Sequence, residues 1–272
     1  MTAAVPERKL RASHLVVFGE TSSIGWGQIN KAVCTAGCAA TARSLTLKTN
    51  SIFPPGIFHR ICRIINFMNH FGFTPKELRS LRALNTPQKI QAFLDRIPYH
   101  LASSAWSPRV VLREKSAHCL EGAIFAAAAL RVNGYPPLII DLEAENDTDH
   151  VIAAFQQNGA WGAIASSNYS GCRYRSPIYR NLRELALSYF EDYFNLRGDP
   201  SLRTFSKPVD LSRFDSKDPE KNWMTTEKPV WFIAEHLLTI SHTELLTPKM
   251  KKGLVRVGRR SFEAGLHGHR KI

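Results

Sequence analysis

Residues 116–168, SAHCLEGAIFAAAALRVNGYPPLIIDLEAENDTDHVIAAFQQNGAWGAIASSN, decide the fold, because one helix signal and three strand signals follow one another within them. The apolar run from Leu120 to Val132 is long enough for a buried helix, with Ser116 as a candidate N-cap and Asn133-Gly134 as its end. Three shorter apolar runs follow at residues 138–142, 151–155 and 161–164. Asn158-Gly159, between the last two, is a strong signal for a two-residue hairpin turn. The stretch therefore predicts a helix followed by three strands.

Two reactive side chains occupy the ends of these elements. Cys119 falls in the first turn of the predicted helix, and His150 opens the second predicted strand. Unpaired N–H groups and the positive dipole end at a helix N-terminus lower a thiol pKa and can hold an oxyanion. An imidazole from a neighbouring strand can pair with the thiolate and later protonate a leaving group. We therefore expect Cys119 as nucleophile and His150 as base and then acid, with simple packing roles for both as the alternative.

The motifs around these residues also follow a characteristic order. A helix-borne cysteine in C-x-E-G-A precedes an apolar strand, then D-H-V on a second strand, then a strand that begins with tryptophan. This order resembles the core of the transglutaminase-like superfamily of papain-type folds, over about residues 86 to 195. The resemblance implies an α+β fold in which the catalytic helix packs on an antiparallel sheet. It also implies a Cys-His-Asp triad for peptide or amide hydrolysis, or for transfer of an acyl group to an amine.

The third member of that triad has no matching residue. Cys119 and His150 match the pattern, but the position of the carboxylate falls at Ala165. A two-residue turn would place His150 opposite Ser167. Asn168 is the better chemical candidate, because an amide oxygen can accept the imidazole N–H and hold its tautomer. We expect Asn168, or else Ser167, to orient His150; the alternative is a catalytically degenerate module that keeps the fold for binding or scaffolding.

Three further residues are candidates for substrate binding. Trp106 lies in a predicted loop, residues 99–116, that can cross the site and supply an apolar wall. Arg173 and Arg175 alternate along an extended segment that follows the proposed triad in sequence. Either guanidinium can bind a substrate carboxylate through two hydrogen bonds. A solvated surface pair is the alternative for these two arginines.

Helix signals surround this core. The apolar spacing within residues 59–71 predicts an amphipathic helix. Thr74-Pro75, with Glu77 three residues after the threonine, predicts a capped helix, and Thr86-Pro87 begins another that ends before Pro98. Ser176-Pro177 predicts one more helix after the sheet.

The net charge of +13 is concentrated at the two ends of the 272-residue chain. The first 50 residues carry +4, from six Lys/Arg and two Glu, and the last 22 carry +6, from seven Lys/Arg and one Glu. The 200 residues between them carry only +3, from 23 Lys/Arg and 20 Asp/Glu. We therefore expect a poorly ordered basic extension at 1–51, a transglutaminase-like domain at 52–246 and a basic C-terminal tail at 247–272.

Composition excludes several classes of protein. Five cysteines, an odd number, favour reduced thiols in the cytoplasm over a disulfide framework. No apolar run approaches the roughly 18 residues of a membrane helix, so no membrane partner is expected. Basic ends are more typical of weak contact with nucleic acid than of sequence reading, and a polyanion-associated protein acting through these ends is the third functional class. We expect a peptide or amide substrate, free or within a protein.

Neither a metal nor another cofactor is expected. Cys34 and Cys38 form a C-x3-C pair, but no histidine or carboxylate lies nearby in the sequence to complete a ligand set. The histidines near the C-terminus are scattered without a repeated ligand spacing.

Overall fold

A seven-stranded antiparallel sheet organises the fold, in the order β4-β3-β2-β1-β5-β7, with β6 also paired to β1. The computed structural model describes residues 70–270. This part of the chain is α+β, with eight α-helices and two short 3-10 helices at Phe190–Asp192 and Leu211–Phe214. The helices are α1 (Pro75–Ala83), α2 (Pro87–Arg96), α3 (Pro108–Glu114), α4 (Cys119–Val132), α5 (Leu182–Leu187), α6 (Trp231–Thr239), α7 (Pro248–Lys252) and α8 (Arg259–Gly265). The strands are β1 (Leu138–Ala144), β2 (His150–Gln157), β3 (Ala160–Ile164), β4 (Arg175–Tyr179), β5 (Leu202–Ser206), β6 (Val209–Asp210) and β7 (His242–Glu244).

The hairpin between β2 and β3 has the predicted turn and register. Asn158 and Gly159 both adopt positive φ, at 53° and 78°, which the twist of a two-residue hairpin requires. Gln157 consequently faces Ala160, and the ladder runs back to Ala153 opposite Ile164. It ends there, so the residues after β3 leave the sheet before they reach His150.

Helix α4 is the central helix, and it lies very close to the sheet. All its residues from Leu120 to Leu130 are buried, and most are small. Gly122 permits the close approach, because a Cβ there would lie 2.5 Å from the Cβ of Ser166. The helix begins at Cys119 with His118 as N-cap, so the prediction of Ser116 as cap is wrong. The Ser116 hydroxyl donates instead to the carbonyl of Pro98.

Apolar side chains pack on both faces of the sheet. On the α4 face, buried residues of α1, α2, α3 and α6 join those of α4 and the sheet in one core. The opposite face forms a second core with α5 and the residues that follow it, including Tyr189 and Tyr193. Both faces are therefore covered near the ends of α4 and β2, where Cys119 and His150 lie.

The two helices predicted from Thr-Pro signals are confirmed. Thr74 and Glu77 form a reciprocal capping box, with distances of 2.7 Å and 3.3 Å between backbone nitrogens and side-chain oxygens. Thr86 caps α2 through the N–H of Lys89. The helix predicted at 59–71 lies outside the described residues except for its last two positions, and the extension predicted at 1–51 lies wholly outside them.

Two other local predictions are wrong. The predicted loop at 99–116 contains α3, because Ser107 acts as N-cap and Pro108 occupies the first helical position. The Ser176-Pro177 segment is not a helix start but part of β4, which pairs with β3. The next helix begins later, where the Asn181 side chain accepts the N–H of Glu184.

The described part of the predicted C-terminal tail is folded. It forms α7 and α8, and the Phe262 ring packs against Phe194 with ring centroids 5.6 Å apart. The N–H of Ser170 donates to the carbonyl of Gly265 at 2.9 Å. The fold thus continues past the boundary predicted at residue 246. Across residues 70–270, no helix combines the length and apolar character that crossing a membrane requires.

Candidate active site

Cys119 is the first residue of α4, and its side chain is half-buried. Burial alone would raise the pKa of this thiol, but hydrogen bonds from the His118 and His150 rings, and the charges of those rings, hold the pKa well below its ordinary value. The sulfur also lies 3.9 Å from the backbone oxygen of Asp149. A thiol placed at a helix N-terminus beside two imidazoles is therefore easier to ionise than an ordinary thiol.

His150 begins β2 and is only 5% exposed. Its Nε2 atom lies 3.0 Å from the backbone carbonyl oxygen of Cys172. A carbonyl oxygen can only accept, so Nε2 carries the hydrogen. In the neutral ring, Nδ1 then holds the lone pair that can take a proton from Cys119. The rings of Tyr189 and Tyr193 stand edge-on to the imidazole and fix its plane.

The structure does not bring Asn168 to His150. Both polar atoms of the Asn168 side chain bond the backbone of Arg270, at 2.9 Å each. Ser167 uses its hydroxyl to accept the N–H of Tyr169. Because β3 ends at Ile164, neither residue continues the ladder toward the imidazole. The orienting role expected of Asn168 or Ser167 belongs instead to the Cys172 carbonyl.

Ala165, where the resemblance would place a carboxylate, is fully buried. Its backbone N–H and carbonyl both bond the side chain of Gln91, at 3.0 Å and 2.9 Å. This position therefore packs α2 against the end of β3.

Glu121 lies one turn into α4 and is fully buried. Its carboxylate accepts the Ser104 hydroxyl at 2.6 Å and the backbone N–H groups of Trp106 and His118 at 3.0 Å and 3.2 Å. The ring nitrogen Nδ1 of His100 lies 3.1 Å away. Four polar groups thus surround a carboxylate immediately behind Cys119, as a buried charge requires. Sequence reasoning missed this cluster, although the H-C-L-E spacing is its visible signal.

His118 connects this carboxylate to the thiol. Its Nε2 atom lies 2.7 Å from the carbonyl oxygen of Ser104 and 3.5 Å from Glu121 Oε1. Burial would lower the pKa of this ring, but the hydrogen bond and charge of Cys119, together with the charge of Glu121, raise it above the ordinary value. His118 is therefore the second imidazole that acts on the sulfur.

Tyr99 is a further neighbour of Cys119 that the sequence did not indicate. Its phenol lies close enough to Cys119 for the backbone and the side chain of that residue to affect the pKa of the hydroxyl. Burial, followed by the charge of Cys119, raises the pKa of this phenol well above its usual range, so Tyr99 remains a neutral donor. A parallel β-bridge to Ala117 holds its backbone beside the start of α4.

Trp106 lies beside the Glu121 cluster. Its ring stacks on His100 with centroids 4.0 Å apart, and its backbone N–H donates to Glu121. The predicted role as a substrate wall is not tested by these contacts, which support the cluster behind Cys119.

The two arginines are held by protein groups. Arg173 bonds Asp95 and the carbonyl of Ser167, each at 2.7 Å. Arg175 bonds Asp192 at 2.9 Å and lies over the Tyr189 ring at 4.1 Å. Since both guanidiniums anchor the segment that carries Cys172, we do not retain them as substrate ligands.

A second buried acid lies on the sheet side of the thiol. Asp141 of β1 is 4% exposed, and its carboxylate lies 3.2 Å from Nε2 of His242. Burial, then the charge of Asp149, raises the pKa of Asp141 to about 6 against the opposing effect of His242. The charge of Cys119 also raises it. The thiolate and these carboxylates therefore repel one another across the start of the sheet.

No known protein family matches this chain, and comparison with the curated proteins gives no match. Within residues 70–270, no three His, Cys, Asp or Glu side chains are grouped as ligands of a metal ion.

Proposed function

We propose that this protein performs cysteine-dependent acyl chemistry, as peptide or amide hydrolysis or as acyl transfer to an amine. The observation that carries the proposal is the orientation of His150, whose Nε2–H is fixed by the Cys172 carbonyl so that Nδ1 is the basic nitrogen. The depressed pKa of Cys119 at the start of α4 supplies the nucleophile. A helix packed on an antiparallel sheet, with cysteine and histidine at their ends, also supports a transglutaminase-like, papain-type core.

The proposed reaction has two steps that share one pair of side chains. The Cys119 thiolate attacks the acyl carbonyl carbon, and the C=O π electrons move onto oxygen. When the tetrahedral intermediate collapses, His150 gives its Nδ1 proton to the departing amine, leaving a thioester on Cys119 and a neutral imidazole. Nδ1 then takes a proton from water or from an acceptor amine as that group attacks the thioester, and the thiolate departs.

Attack of the Cys119 sulfur turns the acyl oxygen into an oxyanion, which requires hydrogen-bond donors close to that sulfur. The backbone N–H of Cys119, fixed at the start of α4, and the Tyr99 hydroxyl are the candidate donors near the thiol. The Tyr99 hydroxyl can rotate toward a developing oxyanion, and it is a donor because its phenol is neutral. One such donor is worth about 10²- to 10³-fold in kcat.

The alternative of a degenerate binding module was motivated by Ala165. A backbone carbonyl at 3.0 Å removes that objection, since the tautomer of His150 is held without a third side chain. The carbonyl gives the imidazolium less charge stabilisation than a carboxylate would. With its tautomer held but its charge less stabilised, His150 fits a catalyst of modest rate better than an inert scaffold.

The proposal is tested by assaying the full chain with a panel of peptide amides and activated acyl esters, with water or a primary amine as acceptor. We expect turnover by the wild type that is lost in Cys119→Ala and His150→Ala. His236→Ala is the matched control, because it removes an imidazole that bonds Arg213 and, within residues 70–270, makes no hydrogen bond to Cys119 or His150. Turnover that persists in Cys119→Ala, or its absence from the wild type with every donor, would contradict the proposal.

A further inference from the structure

We propose that His118 is a second catalytic imidazole that keeps Cys119 ionised while His150 carries the proton, and that buried Glu121 is its positioning residue. This inference deepens the acyl chemistry proposed above and rests on it for its catalytic meaning. Its physical content, two imidazoles with different roles on one sulfur, is measurable on Cys119 directly.

The partners of the two rings differ in charge. The Nε2 of His150 faces a neutral backbone carbonyl, and within residues 70–270 no ion pair joins this ring to a carboxylate. Nε2 of His118 faces the Ser104 carbonyl and also lies 3.5 Å from the carboxylate of Glu121. A carboxylate beside an imidazole favours its charged form. The Glu121 carboxylate therefore favours the charged form of His118, whereas the Nε2 partner of His150 is a neutral carbonyl.

The other charged groups explain why one imidazole would not suffice. The thiolate faces Tyr99 as a neutral phenol and feels the charges of Asp141 and Asp149 from the sheet side. Both carboxylates oppose its ionisation. A second cation on the helix side offsets this repulsion, so His118 and His150 together hold the sulfur as an anion.

The acidic cluster around His118 is itself compensated. Glu121 has His100 on its other side at 3.1 Å, and the rings of His100 and His118 lie 6.0 Å apart. Cys119 and Glu121 are thus the two acidic groups that face His118, and His100 is a second ring in contact with Glu121. The Glu121 contacts with Ser104 and the backbone keep its carboxylate aimed at the N-terminus of α4.

This arrangement gives the two histidines separable effects. During deacylation the thiolate is the leaving group, and a fixed His118 cation stabilises it while His150 acts as base. Loss of His118 should raise the pKa of Cys119 and shift the acid limb of the kcat/KM profile to higher pH, while proton transfer continues. Loss of His150 should abolish turnover but leave a thiolate partly stabilised by His118.

The experiment measures the rate at which iodoacetamide alkylates Cys119 between pH 4 and 9, located by peptide mapping of the full chain. The variants are His118→Asn, His150→Asn and Glu121→Gln, with the remote His236→Asn as control. Asparagine suits position 118 because it is a favoured N-cap. We expect His118→Asn to raise the pH midpoint of Cys119 alkylation by about one unit. Below that midpoint, alkylation should then be roughly tenfold slower than in the wild type. Glu121→Gln should shift the midpoint the same way by less, and His236→Asn should leave it unchanged.

A wild-type midpoint in folded His118→Asn would overturn the inference, as would an equal shift in His236→Asn. Should Glu121→Gln fail to fold, His118→Asn still decides. A second readout is the NMR titration of the His118 ring, which should move to lower pH when Cys119 is capped with methyl methanethiosulfonate, because the coupling is reciprocal. A titration unchanged by the cap would also contradict the inference. Both readouts are independent of turnover. A protein inactive toward every acyl donor would therefore contradict the proposed function, but the role of His118 would still be decided by these two measurements.

Discussion

Nε2 of His150 lies 3.0 Å from the carbonyl oxygen of Cys172, so a backbone atom is the partner of this imidazole. The acceptor is a backbone atom, held in place because the Cys172 side chain is buried and its sulfur donates to the carbonyl of Asp192 at 3.3 Å. The tautomer of His150 is therefore fixed by the path of the chain and is insensitive to the side chains that the sequence offers as orienters.

The first prediction follows from that contact. Asn168→Ala should keep kcat/KM within about twofold of the wild type, because the Asn168 amide bonds Arg270 and not His150. Steady-state assays with the best acyl donor of the panel measure kcat/KM. His150→Ala is the reference variant, and its kcat/KM should fall at least 10²-fold. A tenfold or greater loss in folded Asn168→Ala would show that the amide orients the imidazole after all.

Ala165→Asp provides the second prediction. The new carboxylate would be buried at a position that the second core encloses, where the backbone N–H and carbonyl already bond Gln91. We expect a loss of several kcal/mol in the free energy of unfolding and no gain in rate. Urea denaturation measures the loss, and Ala92→Asp, on the exposed side of α2, is the control that should cost no more than about 1 kcal/mol. Wild-type stability with faster turnover would mean that the site accepts the missing carboxylate.

Local chemistry made much of the fold predictable from sequence. The hairpin register follows from the Asn158-Gly159 turn, and the capping box at Thr74 follows from residue spacing. The placement of Cys119 at a helix start also came from pattern alone. The Cys172 carbonyl could not be predicted, because a backbone acceptor has no residue signature. The His118 contact with Glu121 is local, at i,i+3 spacing, but the contacts of Glu121 with Ser104 and Trp106 depend on a preceding loop whose path the sequence does not specify.

The third prediction concerns Tyr99. Tyr99→Phe removes the neutral phenol hydroxyl proposed as an oxyanion donor near Cys119, so kcat should fall about 10²-fold with little change in KM. Tyr179→Phe, on β4 away from the thiol, is the matched control and should retain wild-type kinetics. An equal effect of the two substitutions, or an effect on KM alone, would remove Tyr99 from the proposed oxyanion site.

The fourth prediction is a pH dependence of stability. The folded pKa of Asp141, about 6, exceeds its ordinary 3.8 because of burial and then the charge of Asp149. The folded state therefore binds the Asp141 proton more tightly than the unfolded state does. The resulting contribution to the free energy of unfolding is fully present below about pH 4 and is lost as the pH rises through 6. Its size is on the order of 3 kcal/mol. Asp141→Asn should therefore gain stability relative to the wild type between pH 4 and 7.

Urea denaturation of both proteins across that pH range measures this difference. Asp218→Asn, which removes an exposed carboxylate, is the control and should show a flat difference. An Asp141→Asn difference that also stays flat would contradict the raised pKa.

The central claim, that Cys119 accepts an acyl group, is tested most directly by intact-mass analysis after brief mixing with an activated ester such as p-nitrophenyl acetate. We predict one acyl group per chain, mapped to Cys119, that forms at pH 6, disappears when hydroxylamine is added and forms more slowly in His150→Ala. No adduct on the wild type, or the same adduct yield in Cys119→Ala, would contradict the account.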